Sequence, residues 1–339
     1  LDIMRFIAAL GVMLYHYLYR GIQTGRVEEI DLQTGNFFKY GYLGVNLFFI
    51  ISGFVIFLSL NNNNYYLTFI KNRIIRLFPT YLLSITITLL MILIFFGSIP
   101  FDYKTIITNF FMINWIFNLP SIDGVYWSLH IEWVFYFLMT GFLLISKKIK
   151  IINCVYSWLV IIIILKLMKL FSFYVPGEIS FLLIEKYGLL FVAGIFFYKN
   201  YISGFNIKNF LILLTCFILS TYDLINQSRI LEIELNSTSS DIILIIINLS
   251  FFIYFFFLSY FEKINKFSYT KLGIASYPMY LIHQEVGYIL YDYIKLDNDS
   301  YNIFVITTII TIVILASIII GDKYEKPIIN FLKIKLLKT

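Results

Sequence analysis

Long apolar segments alternate with short polar clusters along the whole of the 339-residue chain. A helix of about 20 apolar residues is long enough to cross the hydrocarbon core of a bilayer. A membrane barrel would instead need strands of about 10 residues with alternating polarity, and LLSITITLLMILIFF does not alternate in that way. The pattern predicts an all-α, polytopic transmembrane helical bundle of about ten spans. The predicted spans are residues 1–20, 41–60, 74–97, 125–146, 149–170, 181–198, 209–225, 240–260, 272–294 and 302–321.

The composition agrees with a chain that is surrounded by lipid. Hydrophobic residues make up 60% and charged residues only 14% of the sequence, whereas a soluble domain usually carries about a quarter charged residues. The composition excludes a water-soluble globule, and we expect residues 1–339 to form a single integral membrane domain. Cys154 and Cys216 lie inside apolar segments, which is typical of buried small side chains and indicates neither a disulfide framework nor a metal site.

The positive charges predict an orientation. Short loops rich in lysine and arginine stay in the cytoplasm, and such loops follow the second, fourth, sixth and eighth predicted spans. The first loop is an exception because it mixes cations with acids. The alternation predicts that both termini are cytoplasmic, in the cell membrane, and it explains the net charge of +6 without a nucleic-acid partner. The cations of these loops include Lys71, Arg73, Arg76, Lys147, Lys148, Lys150, Lys199, Lys208, Lys263, Lys266 and Lys271.

The first span carries two polar side chains, Arg5 and His16. Eleven positions of an α-helix make three turns and about 16 Å of rise, so the two residues return to nearly the same face. In the predicted orientation Arg5 lies near the cytoplasmic end and His16 near the outer end. Polar groups inside spans are costly and are functional hypotheses by default. The alternative is an arginine that extends to the interface and a histidine that bonds a neighbouring helix.

Two other spans offer titratable groups at similar depths. Glu132 enters from the outer side on the fourth span, and His283 lies well into the ninth. A carboxylate at that depth needs a partner or a proton. His130, two residues before Glu132, points to roughly the opposite face, so we interpret it as structural or peripheral. His283 is either part of a site or a satisfied core histidine.

Arg73 and Arg76 lie one turn apart at the start of the third span. Together with Arg5 they could form a cationic site for phosphates, which arginine binds in a bidentate manner. The alternative is a plain effect of membrane orientation. Asn46, near the outer end of the second span, is suited to bind a substrate or another helix, and Trp127 is either an interfacial aromatic residue or part of a site.

Six segments, taken in their order and spacing, resemble the membrane-bound acyltransferase-3 family, which contains many bacterial polysaccharide O-acetyltransferases. They are LDIMRFIAALGVMLYH, GYLGVNLFFIISGF, NRIIRLFPTY, WSLHIEWVFY, SYPMYLIHQ and a closing YEKP. The resemblance covers nearly the whole chain. It implies about ten spans, no permanently bound cofactor, an acyl-CoA donor that is usually acetyl-CoA, and an acceptor hydroxyl on a carbohydrate of the cell surface.

The resemblance also implies site residues. One departure concerns Gln284 and Glu285 after His283, where many relatives have a proline. The family's arginine–histidine pair, its tryptophan–serine–leucine–glutamate motif and its basic motif correspond to Arg5, His16, Trp127, Ser128, Leu129, Glu132, Arg73 and Arg76.

This arrangement suits acyl transfer. The phosphate-rich head of acyl-CoA would bind at Arg5, Arg73 and Arg76, and its arm would bring the thioester to His16. A neutral imidazole can remove the proton of a sugar hydroxyl, and Glu132 could orient it as the third group of a triad does. We prefer direct transfer because no serine or cysteine nucleophile motif is evident, but an acyl-histidine intermediate stays open.

Further positions and further functions stay open as well. Asn46, Trp127, Ser128 and His283 are candidates for an acceptor or secondary site. A glycan exporter or flippase would use the same polar residues as a pathway, although the paired repeats common in transporters are not evident. A third interpretation is a non-catalytic partner in a glycan-synthesis complex.

Overall fold

A computed structural model describes residues 1–28, 32–62, 65–146, 149–260, 270–295 and 302–337. Every regular element within these ranges is a helix, and the described residues contain no strand, which confirms the predicted all-α class. Four cations used to predict the orientation, Lys147, Lys148, Lys263 and Lys266, lie outside the described residues.

Fifteen α-helices are described, and two of the turns between them are π-helical, over His16–Arg20 and Ile320–Glu325. In chain order the α-helices are α1 (Asp2–Tyr15), α2 (Gly21–Gln23), α3 (Leu32–Phe38), α4 (Gly44–Asn62), α5 (Tyr66–Phe96), α6 (Tyr103–Phe110), α7 (Trp127–Ile145), α8 (Ile151–Leu170), α9 (Gly177–Leu182), α10 (Gly188–Ser203), α11 (Ile207–Glu234), α12 (Asp241–Tyr260), α13 (Thr270–Ile294), α14 (Asn302–Ile319) and α15 (Lys326–Leu337).

Among the described residues, seven helical stretches are long and apolar enough to cross a membrane. The chain is therefore a multi-pass membrane protein. The predicted first, sixth and ninth spans are also helical, but α10 has only 16 residues, and the number of ten spans stays a prediction. The seven stretches are Gly35–Leu60, Tyr66–Phe96, Gly124–Ile145, Ile151–Leu170, Ile207–Glu234, Asp241–Ser259 and Asn302–Leu336.

The helices group into two compact units. The first unit comprises residues 1–45, 72–130 and 269–339, and the second comprises residues 46–71 and 131–268. Each unit collects segments that are distant in the sequence, so local apolar pattern alone does not define either of them.

Within the first unit, α1 packs along α13, and α13 packs along α14. Small residues allow these helices and their neighbours to approach closely. A Cβ atom on Gly41 would meet the carbonyl oxygen of Gly11, and one on Gly273 would meet the side chain of Asp2 at 2.5 Å. The start of α1 is thereby packed against the start of α13.

Within the second unit, α10 is the central helix and packs against α8, α11 and α12. It is buried along most of its length. Its Gly194 faces α4, where a Cβ atom would meet the backbone nitrogen of Phe54 at 2.7 Å and the Cα atom of Gly53 at 3.0 Å. The two glycines bring the two helix backbones into contact.

A partly buried ion-pair network also joins helices of the second unit. The Lys166 amine of α8 lies 3.0 Å from Glu185, just before α10, and 2.6 Å from Asp223 of α11. Lys169 reaches the second oxygen of Glu185 at 2.7 Å. Each carboxylate therefore has a cationic partner, as buried charges require.

The contact at Gly194 predicts the effect of a single methyl group. Alanine ordinarily stabilises a helix interior by about 1 kcal/mol over glycine, but in Gly194→Ala the added Cβ overlaps the backbone of α4. We expect this variant to unfold at a lower temperature in detergent than the parent protein. Gly141→Ala is the control, because nothing lies within 4 Å of its added Cβ. Equal melting temperatures for the two variants would contradict the close contact.

Candidate active site

His16 lies at a local change in helix geometry. It begins the π-helical turn that follows α1, and its side chain is buried. π-helical turns are rare and occur frequently at functional sites. Gly21 closes the turn, and a Cβ atom there would meet the carbonyl oxygen of His16 at 2.7 Å. The sequence places a glycine where the widened turn leaves no room for a side chain.

The structure brings His283 of α13 to His16. The centroids of the two imidazole rings are 5.1 Å apart, and the ring planes are inclined by 59°. His283 is 0% exposed. Its Nδ1 atom lies 2.8 Å from the carbonyl oxygen of Tyr280. A carbonyl oxygen only accepts hydrogen bonds, so Nδ1 carries the proton and Nε2 carries the lone pair.

The Nε2 atom of His283 is buried and has no hydrogen-bond partner among the described residues. Buried polar atoms are usually paired, and an exception needs an explanation. The sequence predicted a position inside the membrane for each histidine separately. The structure shows that the two form one buried pair in the first unit.

The predicted cationic residues of the first unit lie on helices that share contacts with the beginning of α13. Arg5 on α1 is half-buried and lies 3.5 Å from Asp2, which packs on Gly273. Further along α13, the hydroxyl of Tyr277 donates to the carbonyl of Leu77 on α5 at 3.1 Å. The segment of α1 that contains Arg5 and the segment of α5 that contains the other two arginines are therefore both packed against the first two turns of α13.

Arg73 and Arg76 lie on the turn of α5 just before Leu77. Arg73 is buried and Arg76 is half-buried. Glu325, at the end of the second π-helical turn, accepts a hydrogen bond from Thr80 at 3.0 Å and interacts electrostatically with Arg76. The YEKP segment, from which the sequence analysis took no site residue, is thereby part of the surroundings of the basic motif.

Glu132 lies in the second unit on α7. Its carboxylate accepts hydrogen bonds from the hydroxyls of Ser52, at 2.9 Å, and Tyr136. A carboxylate inside a span needs such donors to compensate for lost water. These two partners hold the side chain within its own unit, and the predicted pairing of Glu132 with His16 stays a prediction.

The remaining candidates differ in exposure. Trp127 is 38% exposed, whereas Asn46 and Ser128 are buried. The Ser128 hydroxyl lies 2.6 Å from that of Tyr280 on α13, and Tyr280 in turn packs its ring 5.7 Å from His283. Ser128 therefore lies closer to the histidine pair than its place in the sequence indicates. His130, by contrast, is buried beside Trp115, with 6.4 Å between the ring centroids.

Sequence reasoning missed a polar cluster at the end of the first unit where the histidine pair lies. Asp123 is 0% exposed and accepts hydrogen bonds from the backbone nitrogens of Val125 and Glu285, each at 3.1 Å. Burial and the neighbouring charge of Glu285 raise the pKa of Asp123 to about 8. Arg26 lies 3.5 Å from Glu285 and 4.8 Å from the ring centroid of Tyr288. The sequence signal was weak, because an aspartate before a helix is an ordinary N-cap.

The fold and the site define a class: a multi-pass helical membrane protein with a buried histidine pair and arginines near the opposite end of the same two helices. The family described as "Acyltransferase domain" matches residues 1–321. The chain belongs to this family. The predicted family is confirmed.

Individual relatives match over a shorter region. The O-acetyltransferase OatA of Staphylococcus aureus strains NCTC 8325 / PS 47, COL and MRSA252 is 32% identical over 157 residues. The match covers 41% of this chain and 23% of the length of those relatives. No solved structure matches the chain.

Proposed function

We propose that this chain is an integral membrane O-acyltransferase that moves an acetyl group from cytoplasmic acetyl-CoA to a hydroxyl of a surface glycan or its precursor. The observation that carries the proposal is the buried pair of His16 and His283 in a chain of the acyltransferase domain family. The similarity to relatives named as O-acetyltransferases supports acetyl as the group and oxygen as the acceptor atom.

The proposed donor site comprises Arg5, Arg73 and Arg76. Three features support it: the guanidinium groups suit phosphates, they lie on helices that pack against the start of α13, and Arg5 is three turns from His16 on one helix. The pantetheine arm has roughly that reach. We propose that no cofactor is bound permanently and that the acyl-CoA acts as a co-substrate.

The proposed reaction is direct transfer. The Nε2 atom of His16 takes the proton of the acceptor hydroxyl while its oxygen forms a bond to the thioester carbonyl carbon. The carbon–sulfur bond then breaks, and the CoA thiolate takes the proton from the imidazolium. The base is thereby regenerated, and no net proton is gained or lost. His283 is the second imidazole at this point, and Ser128, Asn46 and Trp127 are proposed for the acceptor side.

Glu132 is proposed as the partner of His16. A carboxylate beside the imidazolium would balance its transient charge. Its two hydroxyl donors, Ser52 and Tyr136, orient the carboxylate.

We further propose that residues 1–339 form one membrane domain with about ten spans and both termini in the cytoplasm. The match of a single family over residues 1–321 supports one domain. The alternation of basic loops supports the orientation and a place in the cell membrane.

The donor site predicts a specific kinetic change. The double variant Arg73→Gln, Arg76→Gln loses charge-assisted hydrogen bonds, so its KM for acetyl-CoA should rise about tenfold or more while the acceptor KM changes little. Arg5→Lys should stay impaired because lysine cannot bind in a bidentate manner. Lys208→Gln removes an exposed cation elsewhere and serves as the control. Unchanged acetyl-CoA affinity in the double variant would exclude these two arginines.

The orientation predicts which residues react from outside. In a variant without Cys154 and Cys216, Asn118→Cys and Asn206→Cys each add one exposed thiol. A membrane-impermeant maleimide should label the cysteine at 118 in intact cells and the one at 206 only after permeabilisation. The opposite pattern would invert the orientation and place the donor site on the outer side.

The catalytic assignment predicts the largest effect. His16→Ala should lower kcat by about 10²–10⁴-fold, since a positioned base contributes that much, while acetyl-CoA binding stays nearly intact. Glu132→Gln should also lower kcat, and the double variant should be little worse than His16→Ala because groups that act together are not additive. The rate should fall as pH is lowered, because an imidazolium cannot accept a proton.

The measurement is transfer from radiolabelled acetyl-CoA by folded, detergent-purified protein, with donor binding measured in parallel. His130→Ala is the matched control, since this histidine is also buried but faces Trp115. If His16→Ala keeps more than about a tenth of kcat, the base is another group, and His283 is the next candidate. If the parent protein transfers no acetyl group, the exporter alternative gains support.

A further inference from the structure

Two buried tyrosines connect the helices that carry the histidines. The hydroxyl of Tyr288 on α13 donates to the backbone carbonyl of His16 at 3.1 Å. The hydroxyl of Tyr17, next to His16, donates to the backbone carbonyl of His283. Each tyrosine therefore bonds the backbone of the histidine on the other helix, and the two bonds form a reciprocal brace.

Glycines receive both tyrosine rings. A Cβ atom on Gly287, beside Tyr288, would meet the Cε1 atom of Tyr17 at 2.6 Å. A Cβ atom on Gly21, just after the π-helical turn, would meet the Cε1 atom of Tyr288 at 3.1 Å. Any larger side chain at Gly21 or Gly287 would crowd the tyrosine ring that packs there. Both contacts of the brace therefore depend on a glycine in the opposite segment.

The brace also favours one of the two possible proton positions on the His16 ring. A phenol has one proton, and Tyr288 donates it to the carbonyl oxygen of His16. The same phenol oxygen lies 3.5 Å from the Nδ1 atom of His16, and toward that atom it can only accept. The geometry therefore favours a proton on Nδ1, which leaves the lone pair on Nε2. His283 has the same tautomer, because its Nδ1 atom donates to Tyr280.

We propose that Tyr288 is the positioning residue that orients His16 and selects the tautomer with a basic Nε2 atom, and that Tyr17 holds His283 opposite to it. This inference rests on the proposed function of His16. A phenol suits a buried site, because its oxygen can accept a hydrogen bond from the Nδ1–H group while the phenol stays neutral. A carboxylate in its place would carry a full charge, which is costly to remove from water. The guanidinium carbon of Arg26 lies over the ring of Tyr288, 4.8 Å from its centroid, and this cation–π contact helps to hold the ring.

The test removes one hydroxyl oxygen and keeps the ring. Tyr288→Phe should lower kcat about tenfold, the effect of one lost hydrogen bond of ordinary strength, and leave the KM for acetyl-CoA unchanged. Tyr17→Phe should lower kcat as well, and it carries the test if the first variant does not fold. In the His16→Ala background, Tyr288→Phe should not lower the residual rate further, because the imidazole that Tyr288 positions is absent.

Tyr81→Phe is the matched control. Tyr81 is equally buried in the first unit, and its hydroxyl donates to the carbonyl of Asn109 at 2.6 Å rather than to the backbone of either histidine. This variant loses a similar bond and should lose stability without the loss in kcat. Melting temperatures measured for all variants separate the two effects.

The outcomes distinguish the inference from the proposed function. If His16→Ala abolishes transfer but Tyr288→Phe and Tyr17→Phe keep the kcat of Tyr81→Phe, the brace is only structural and the inference is overturned while the proposed function stands. A further tenfold loss on adding Tyr288→Phe to His16→Ala would also overturn it. If His16→Ala itself keeps its rate, both the base assignment and the inference fall.

Discussion

The contact between α1 and α13 is the interaction on which the first unit depends. Lipid tails are as apolar as leucine, so helices in a membrane gain little from hiding apolar surface from one another. Close packing and buried hydrogen bonds have to hold them. Here Gly273 admits Asp2 near one end of the pair, Gly287 admits Tyr17 near the other, and two tyrosine hydroxyls bond backbone carbonyls across the interface.

The same contact connects the two ends of the proposed reaction. Arg5 and His16 lie three turns apart on α1, and α13 packs against Asp2 near the first and against His16 near the second. A donor that extends along this pair would be held at its charged head and react at its thioester. Because the imidazoles are shielded from water, hydrogen bonds and charges around them act more strongly than they would in solvent.

Internal partners compensate for several buried polar groups among the described residues. In the second unit Lys166 is shared by Glu185 and Asp223, and Glu132 has two hydroxyl donors. The buried Nε2 atom of His283 is one of several side-chain atoms that no described residue bonds. A lone pair left unpaired beside a candidate base is suited to a group that arrives during the reaction, such as a substrate hydroxyl or the imidazolium proton.

The sequence by itself determined the properties that depend on short stretches of chain. Apolar blocks fix the helical membrane class because the bilayer leaves the backbone no other partner, and the order of the six motifs identified the family. The spacing of Arg5 and His16 follows from helix geometry alone. Only the tertiary structure decided that His283 lies against His16, that Tyr17 and Tyr288 brace the pair, that Asp123 is buried beside Glu285, and that Glu132 is held by Ser52 and Tyr136. These pairings depend on how each helix is rotated about its axis, and that rotation is set by a few glycines and buried hydrogen bonds between distant segments. A sequence in which nearly every face of a helix is apolar carries little signal for it.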